Sequence, residues 1–217
     1  TSASPSFGLI IIGDEILSGK RADKHLPKTI DLLGERGLQL AYADYVGDSP
    51  ERITRTLKRA FTSNSIVFSC GGIGATPDDH TRQCAGRALG LELSLHPEAE
   101  VFIRERMQDI AKEQGVPYEP DHPNNVHRLN MGVFPQGAEI IPNPYNKIPG
   151  FTCHSPAGQG AVHFVPEKAD DIEQQKGRGN TCRLDRQKTK DADHERHARG
   201  DRRRLQPHRR PSRLRRR

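Results

Sequence analysis

Apolar and polar positions along residues 1–115 alternate between short strands and longer helices. Three short runs are rich in Ile, Val, Leu or Phe: Phe7–Ile12, Leu38–Val46 and Ser65–Ser69. The first and third are continuous apolar runs, typical of strands buried in a parallel sheet, whereas the second alternates in part. Apolar residues three and four positions apart predict helices over Ala22–Arg36, from Pro50 onward, over Pro77–Leu89 and over Pro97–Gln114.

The same spacing indicates which helix positions face the core. These are Leu26, Ile30, Leu33, Ile53, Leu57, Ala60, Phe61, Val101, Phe102, Met107 and Ile110. Ser49 followed by Pro50 predicts a helix start, because serine is a good N-cap and proline fits the first helical position. Thr76 and Pro77, with Asp79 three residues after the threonine, repeat this signature and predict a second capped start at Thr76.

The order of strands and helices predicts right-handed βαβ crossovers and an α/β fold, a three-layer sandwich with a mostly parallel central sheet. Beyond residue 115, several prolines predict an irregular loop with a short helix near Asn124–Leu129. Short strands are expected over 138–141, 150–153 and 161–165. We expect residues 7–166 to form this domain, after an N-terminal extension of residues 1–6.

The last segment, residues 167–217, has a different composition. It holds 18 Lys and Arg against nine Asp and Glu, whereas residues 1–166 hold 16 against 19. With eight apolar residues in 51, we expect this Arg-rich tail to be disordered. The abrupt change at Pro166 leads to the hypothesis that the tail is an out-of-frame or altered terminus. Its charge would bind nucleic acid only non-specifically, since it has no aromatic residue to stack on bases.

Other broad classes are disfavoured by the same sequence. No apolar run approaches the about 20 residues that span a bilayer, and we expect neither membrane association nor a secretory signal. The four cysteines show no C-x-x-C spacing, which argues against a disulfide framework or a zinc ribbon. A reduced, cytoplasmic protein is therefore expected.

Candidate chemistry follows the ends of the three strands, which should meet at one edge of a parallel sheet. The first strand is followed by Gly13, Asp14 and Glu15, and the second by Gly47 and Asp48. The third is followed by the glycine loop, defined here as Gly71–Asp79, which contains Gly71, Gly72, Gly74, Thr76 and Asp78. Glycines let a ligand approach the backbone, and backbone N–H groups favour an anion such as phosphate.

Carboxylates beside a phosphate would repel it unless a cation lies between them. Mg²⁺ suits that role, because it is held by one or two carboxylates together with phosphate oxygens. Each feature also has an ordinary explanation: the glycines as a tight connection, Asp78 and Asp79 as helix-capping residues, Asp14 and Asp48 as turn residues. The expected meeting of all three strand ends favours the functional interpretation.

The residues from Gly71 to Thr81 resemble the GGxGxTxDDxT signature of the molybdopterin-binding domain shared by MogA, MoaB, gephyrin-type proteins and CinA. The GDEIL segment from Gly13 is similar to the opening of the CinA-like branch in its stand-alone form, and the segments at 142–144 and 149–151 resemble later family elements. Two departures stand out: Gln83 replaces a common Glu, and the resemblance ends after Pro166.

The resemblance implies a site that handles a phosphorylated pterin or nucleotide with Mg²⁺. Asp48 and Asp79 would be the catalytic residues and would hold the metal. The ligand would contact Gly13, Asp14, Glu15, Ser18, Gly71, Gly72, Gly74, Thr76, Asp78 and Thr81. The MogA branch implies adenylylation of molybdopterin by ATP, and the CinA branch implies hydrolysis of a dinucleotide such as ADP-ribose. A non-catalytic binding protein remains a third alternative, and the family implies a homo-oligomer.

Overall fold

The computed structural model describes residues 6–156 and 160–166. Eight strands lie in chain order: β1 (Phe7–Ile12), β2 (Leu40–Val46), β3 (Ile66–Cys70), β4 (Leu93–Leu95), β5 (Val133–Pro135), β6 (Glu139–Ile141), β7 (Gly150–His154) and β8 (Ala161–Val165). The helices are α1 (Asp14–Leu17), α2 (His25–Gly34), α3 (Pro50–Thr62), α4 (Thr81–Leu89), α5 (Pro97–Gln114) and α6 (Pro123–Arg128), with a 3₁₀ turn at Leu129–Gly132. The expectations about the Arg-rich tail fall outside the described residues.

The central sheet has six strands in the order β2-β1-β3-β8-β7-β6. Strands β2, β1, β3 and β8 are parallel to one another, and β7 is antiparallel to both of its neighbours. The α/β fold with a mostly parallel sheet is therefore confirmed. A separate pair, β4 with β5, is antiparallel and was not expected from the sequence.

Both faces of the sheet are covered near its centre, as the three-layer prediction requires. On β1, Ile10 and Ile12 belong to the larger core, whereas Leu9 and Ile11 belong to a smaller cluster on the other face. All four side chains are at most 3% exposed. The larger core is closed by α3, α4 and α5, and the smaller cluster is covered in part by Leu26 of α2.

Helix α3 agrees with its prediction in detail. The Ser49 side chain accepts a hydrogen bond from the Arg52 N–H at 3.5 Å, and Pro50 is the first helical residue. The four positions expected to face the core are the four buried positions of this helix: Ile53, Leu57, Ala60 and Phe61. Burying side chains of this size stabilises the fold by about 1.5–3 kcal/mol for each large one.

Two positions predicted to face the core lie on the surface instead. Ile30 of α2 is 51% exposed, and α2 is shorter than the predicted helix over 22–36. Val101 of α5 is 54% exposed, because the buried positions of α5 are Ala99, Ile103, Met107 and Ala111, a row four residues apart. Of the other positions predicted for α5, Met107 is buried as expected, and Phe102 and Ile110 are half-buried.

The helix after β3 starts later than predicted. Helix α4 begins at Thr81 instead of Pro77, and its N-cap is His80, whose side chain makes no capping hydrogen bond. Thr76 and Asp79 do bond to each other, but within a turn that precedes the helix. The glycine loop therefore takes up residues that the capping signature assigned to a first helical turn.

Within the described residues, no helix is both long and apolar enough to cross a membrane.

Candidate functional site

Three strand ends meet at the carboxyl edge of the sheet. The Gly13 N–H, just beyond β1, donates to the Val46 carbonyl at the end of β2, with a distance of 3.0 Å. On the other side of β1, Gly71 is so close to the Ile12 carbonyl oxygen that a Cβ at this position would collide with it. The order β2-β1-β3 therefore brings together the segments that sequence reasoning placed at one edge.

Asp14 and Asp48 form a reciprocal pair across this edge. The Asp14 N–H donates to Asp48 Oδ2 at 3.0 Å, and the Asp48 N–H donates to Asp14 Oδ1 at 3.2 Å. Asp14 opens the one-turn helix α1, and its carboxylate also lies where a Cβ on Gly47 would be. A small residue before Asp48 is therefore needed for the two aspartates to approach.

The charges around Asp48 have the same sign. Burial raises the pKa of Asp48, and the carboxylates of Asp14, Glu15 and Asp78 raise it further. The hydrogen bond from the Asp14 N–H acts in the opposite direction. A cation near Asp48 would offset the repulsion that destabilises the ionised form of this carboxylate.

The glycine loop has a backbone that only glycine adopts easily. Gly71 has φ +97° and Gly72 has φ +69°. A Cβ on Gly72 would collide with the Thr81 hydroxyl, and a Cβ on Gly74 would lie 2.7 Å from Asp79 Oδ2. Close packing of the loop against its own side chains therefore requires glycine at these positions.

The loop leaves backbone donors available. Within the described part of the chain, the N–H groups of Gly72, Ile73 and Gly74 donate to no backbone or side-chain acceptor. Consecutive free N–H groups in a tight turn form a concave binding surface for anions. These donors lie in the loop that follows β3, and β3 pairs with β1, the strand that Asp14 follows.

Thr81 supports the glycine loop from the buried side of the loop. It is fully buried; its hydroxyl donates to the Gly71 carbonyl and its N–H to the Gly72 carbonyl, both at 3.1 Å. Both bonds go to carbonyl oxygens of the loop. In a trans peptide the next N–H points opposite to the carbonyl, so the N–H groups of Gly72 and Ile73 point away from Thr81. The structure thus places Thr81 behind the loop, as a support for it.

Asp79 is engaged inside the loop. The Thr76 N–H donates to Asp79 Oδ2 at 2.7 Å, and the Thr76 hydroxyl donates to the same oxygen. No described contact joins Asp79 to Asp48. The structure therefore brings Asp14 to Asp48, whereas Asp79 shapes the loop beside them. Ser18 closes α1 and donates through its hydroxyl to the Glu15 carbonyl at 3.3 Å.

Sequence reasoning missed Arg82, which is 3% exposed. Its guanidinium donates to the Ile73 carbonyl, and burial lowers its pKa while the charge of Asp79 raises it. A buried arginine behind the loop fixes Ile73 and places a positive charge close to the loop. Its position one residue after Thr81 is the only signal in the sequence, and that signal does not distinguish a buried arginine from an exposed one.

A second contact missed from the sequence comes from α6. The His127 Nε2 donates to the Ala75 carbonyl at 3.1 Å, so the far end of the glycine loop is attached to the irregular segment after α5.

Asn143 and Asn146, between β6 and β7, are also buried, and Asn143 donates to Asn146 Oδ1 at 2.7 Å. The loop between β6 and β7 also starts at the carboxyl edge of the sheet, because β6 and β8 are both antiparallel to β7 and so run in the same direction.

The donor set fits Mg²⁺ in kind. Within residues 6–156 and 160–166, no three His, Cys, Asp or Glu side chains are grouped closely enough to hold a metal by themselves. Mg²⁺ does not need such a cage, because it keeps several waters and takes oxygen ligands from one or two carboxylates and from substrate phosphates. Asp14 and Asp48 are two such carboxylates, and they would hold Mg²⁺ if a phosphate at the loop N–H groups supplied the other oxygens.

Comparison with known proteins identifies the family of this chain. The family model described as "Probable molybdopterin binding domain" matches residues 8–168. A CinA-like protein of Anaeromyxobacter sp. (strain K) is 31% identical over 158 residues, which is 73% of this chain and 36% of that protein. A CinA-like protein of Citrifermentans bemidjiense is 33% identical over 158 residues, again 73% of this chain and 35% of the relative. The chain thus spans about a third of the length of these curated relatives.

A solved structure gives the same result. The protein CinA from Thermoplasma acidophilum, described as having unknown function, aligns with a TM-score of 0.62 and 25% identity, covering 78% of this chain and 93% of that one. The resemblance found in the glycine loop and in the GDEIL segment is confirmed across the described domain. The chain therefore belongs to the molybdopterin-binding domain family, and within it is similar to CinA-like proteins.

Proposed function

We propose that this domain binds a phosphorylated pterin or a nucleotide at the carboxyl edge of its sheet, together with Mg²⁺. One observation carries the proposal: in the described part of the chain the N–H groups of Gly72, Ile73 and Gly74 have no acceptor, and they follow β3, which pairs with β1, the strand after which Asp14 bonds to Asp48. An anion-binding surface beside an acidic pair is suited to a phosphate that carries its own cation.

The reaction that fits first is adenylyl transfer to molybdopterin. A phosphate oxygen of the pterin attacks the α-phosphorus of ATP, a new P–O bond forms, and pyrophosphate leaves with the electrons of the broken bond. When bound, Mg²⁺ neutralises charge on the phosphate oxygens. The loop N–H groups hold a phosphate, and Asp14 and Asp48 supply the carboxylates beside it. Asp79 contributes by holding Thr76 and the loop.

Hydrolysis of a dinucleotide pyrophosphate is a second candidate. It is favoured by the similarity to CinA-like proteins over 158 residues. Here water attacks one phosphorus of a compound such as ADP-ribose, the bond from that phosphorus to the bridging oxygen breaks, and AMP and a sugar phosphate are released. The same surface serves both reactions, since each breaks a phosphoanhydride bond.

Turnover assays with the full chain separate these candidates. We expect Mg²⁺-dependent formation of adenylylated pterin from molybdopterin and ATP, or Mg²⁺-dependent release of AMP from ADP-ribose. Asp48→Asn should lower the active rate at least a hundredfold, because it removes one carboxylate of the acidic pair. Asp121→Asn, which changes an exposed carboxylate between α5 and α6, should leave the rate unchanged.

Binding measurements distinguish the possible reasons for an absence of turnover in both assays. If neither substrate turns over but Mg²⁺·ADP-ribose or molybdopterin binds to the wild-type protein and more weakly to Asp48→Asn, the domain is a binding module. If neither ligand binds with or without Mg²⁺, or if Asp48→Asn and Asp121→Asn behave alike, the proposed site is wrong.

A further inference from the structure

The loop between β6 and β7 has a backbone that is fixed by its own hydrogen bonds. The Tyr145 N–H donates to Asn143 Oδ1 at 3.1 Å, and the Ile148 N–H donates to Asn146 Oδ1 at 2.9 Å. The Lys147 N–H donates to the Asn143 carbonyl at 3.0 Å. The two asparagines are buried and bonded to each other, so the loop is built around them and holds one conformation.

Lys147 of this loop adopts a backbone conformation that is rare for lysine. Its φ is +61°, and within the described residues no other residue except glycine has a positive φ. Its Nζ lies 2.8 Å from Asp109 Oδ2 and 3.5 Å from Glu105 Oε2, and both carboxylates belong to α5. Strained backbone persists where the surrounding contacts hold it, and it is concentrated at functional sites. The strain at Lys147 therefore indicates that the particular conformation of this loop matters for function.

The fixed loop presents the ring of Tyr145 to the solvent. Tyr145 is 68% exposed, more than any other large hydrophobic residue of the described chain. A tyrosine ring offers a flat face for stacking and loses little conformational freedom on binding, because it has only two side-chain torsions. A tyrosine on a flexible loop would lose this advantage, since the loop itself would have to become ordered. Tyr145 is therefore a preorganised aromatic surface.

The strand order places Tyr145 on the same edge of the sheet as the glycine loop. Strand β8 lies between β3 and β7. Neighbouring strands are about 4.8 Å apart, so the start of β7 lies roughly 10 Å from the end of β3. Asp14 follows β1 and Asp48 follows β2, and both of these strands lie on the other side of β3. The acidic pair, the N–H groups of the glycine loop and Tyr145 thus follow one another along the carboxyl edge.

We infer that Tyr145 stacks on the flat heteroaromatic ring of the ligand whose phosphate lies at the glycine loop. The inference rests on the proposed function, because both candidate ligands join a phosphate to such a ring: adenine in ADP-ribose or ATP, and the pterin in molybdopterin. In each ligand a further ring, the ribose or the pyran, separates the flat ring from the nearest phosphate, so the ligand extends from the glycine loop towards Tyr145. Stacking on one aromatic side chain raises affinity roughly tenfold to a hundredfold.

Calorimetric titration of the full chain tests the inference, with ADP-ribose and ribose 5-phosphate as probes in the presence of Mg²⁺. Tyr145→Ala should weaken binding of ADP-ribose at least tenfold, and it should leave binding of ribose 5-phosphate, which has no base, unchanged. Tyr145→Phe keeps the ring and should bind ADP-ribose as the wild type does. Leu91→Ala is the matched control: Leu91 is 41% exposed and follows α4, at the end away from the glycine loop, so this variant should bind both probes normally.

Two further measurements identify the ring and observe the stacking. The same proteins titrated with molybdopterin distinguish the two rings: a tenfold loss in Tyr145→Ala with molybdopterin alone assigns the pterin, and a loss with ADP-ribose alone assigns adenine. Tyr145→Trp gives an optical signal, because the chain contains no other tryptophan. Its emission should be quenched by the ligand that carries the stacked ring, and not by ribose 5-phosphate.

The outcomes separate this inference from the proposed function. Wild-type binding of ADP-ribose or molybdopterin that Tyr145→Ala leaves unchanged would overturn the inference and leave the proposed function standing. An equal loss of affinity for ribose 5-phosphate would also overturn it, since the substitution would then disturb the phosphate site, and so would a loss in Tyr145→Phe as large as that in Tyr145→Ala. If the wild type binds neither ligand, the proposed function and the inference both fail.

Discussion

Two segments of this chain share the same helix-start signature and fold differently. Ser49 and Pro50 follow β2, and Thr76 and Pro77 follow the third strand end. The first pair starts α3 at Pro50, as the signature predicts. The second pair does not start a helix, and α4 begins at Thr81.

Tertiary contacts account for the difference. After Pro50, the positions Ile53 and Leu57 bury their side chains on the sheet, so helical spacing and core packing agree. After Pro77, Thr81 instead bonds to two carbonyls of the glycine loop, and Asp79 turns back to Thr76. Tertiary contacts thus override the helix-start signature at the candidate binding surface, where conflicts between local sequence and fold are expected.

The largest expected effect comes from placing a side chain in the loop. Gly71→Ala combines a left-handed backbone with a collision against the Ile12 carbonyl, and we expect a loss of about 3 kcal/mol or more in the free energy of unfolding. Gly90→Ala is the matched control, because Gly90 has φ +70° but open space around its Cα, and it should cost about 1 kcal/mol. Urea denaturation measures both. Equal losses would show that the contact with Ile12 does not constrain the loop.

The next effect concerns the buried arginine behind the loop. Arg82→Met removes the donor to the Ile73 carbonyl and should change stability by less than about 2 kcal/mol. It should also weaken binding of Mg²⁺·ADP-ribose at least tenfold, measured by calorimetry, because the loop loses its support. Arg87→Met, at an exposed position of the same helix, should change neither quantity. Unaltered binding in Arg82→Met would show that Arg82 does not support ligand binding by the loop.

Removing one capping side chain from each signature should have a smaller effect on stability. Ser49→Ala removes the cap of α3 and should lower stability by about 0.5–1 kcal/mol without weakening ligand binding. Thr76→Ala removes the hydroxyl bond to Asp79 and should weaken ligand binding more than it lowers stability. Parallel melting curves and binding isotherms compare them. If both variants lose only stability, the Thr76 turn is merely a connection.

The smallest effect is a pH dependence at Asp48. Burial and three neighbouring carboxylates raise the pKa of Asp48, so the folded state favours its protonated form. Its contribution to stability is then present below the ordinary pKa of an aspartate and is lost as the pH rises through the folded value. Without metal at pH 7, Asp48→Asn should melt about 1–2 °C higher than wild type, and the difference should vanish near pH 3.

Adding Mg²⁺ should reverse that order. A cation that binds the folded wild type raises its melting temperature, and Asp48→Asn should gain less. Asp121→Asn should follow the wild type under both conditions. A lower melting temperature for Asp48→Asn at pH 7 without metal would mean that Asp48 mainly stabilises the fold.

Much of the fold follows from local patterns. Strand β1 is predicted by an unbroken apolar run because both faces are buried, and α3 is predicted because its cap, proline and apolar row agree. The strands β4 and β5 could not be predicted, since three residues at 93–95 pair with three at 133–135, far apart in sequence. Ile30 was misplaced because helical spacing shows which positions share a face, but not how far the neighbouring sheet extends over that face.

The candidate site was predictable as an arrangement of strand ends, and less so as a set of contacts. Parallel topology placed Asp14 near Asp48, since both residues follow neighbouring strands. The capping signature linked Asp79 to Thr76, but not within a turn that precedes the helix, and no pattern showed that Arg82 would be buried. Those contacts depend on the path of the glycine loop, which is set by the left-handed conformation of Gly71 and Gly72.

The most direct test of the account is to observe the loop N–H groups by nuclear magnetic resonance. In the full chain, the amide signals of Gly72, Ile73 and Gly74 should shift when ADP-ribose and Mg²⁺ are added together, and the signal of Asp48 should shift with them. Asp48→Asn should reduce these shifts, and Asp121→Asn should not. Signals that remain unchanged at the loop while the ligand binds elsewhere on the protein would contradict the central claim.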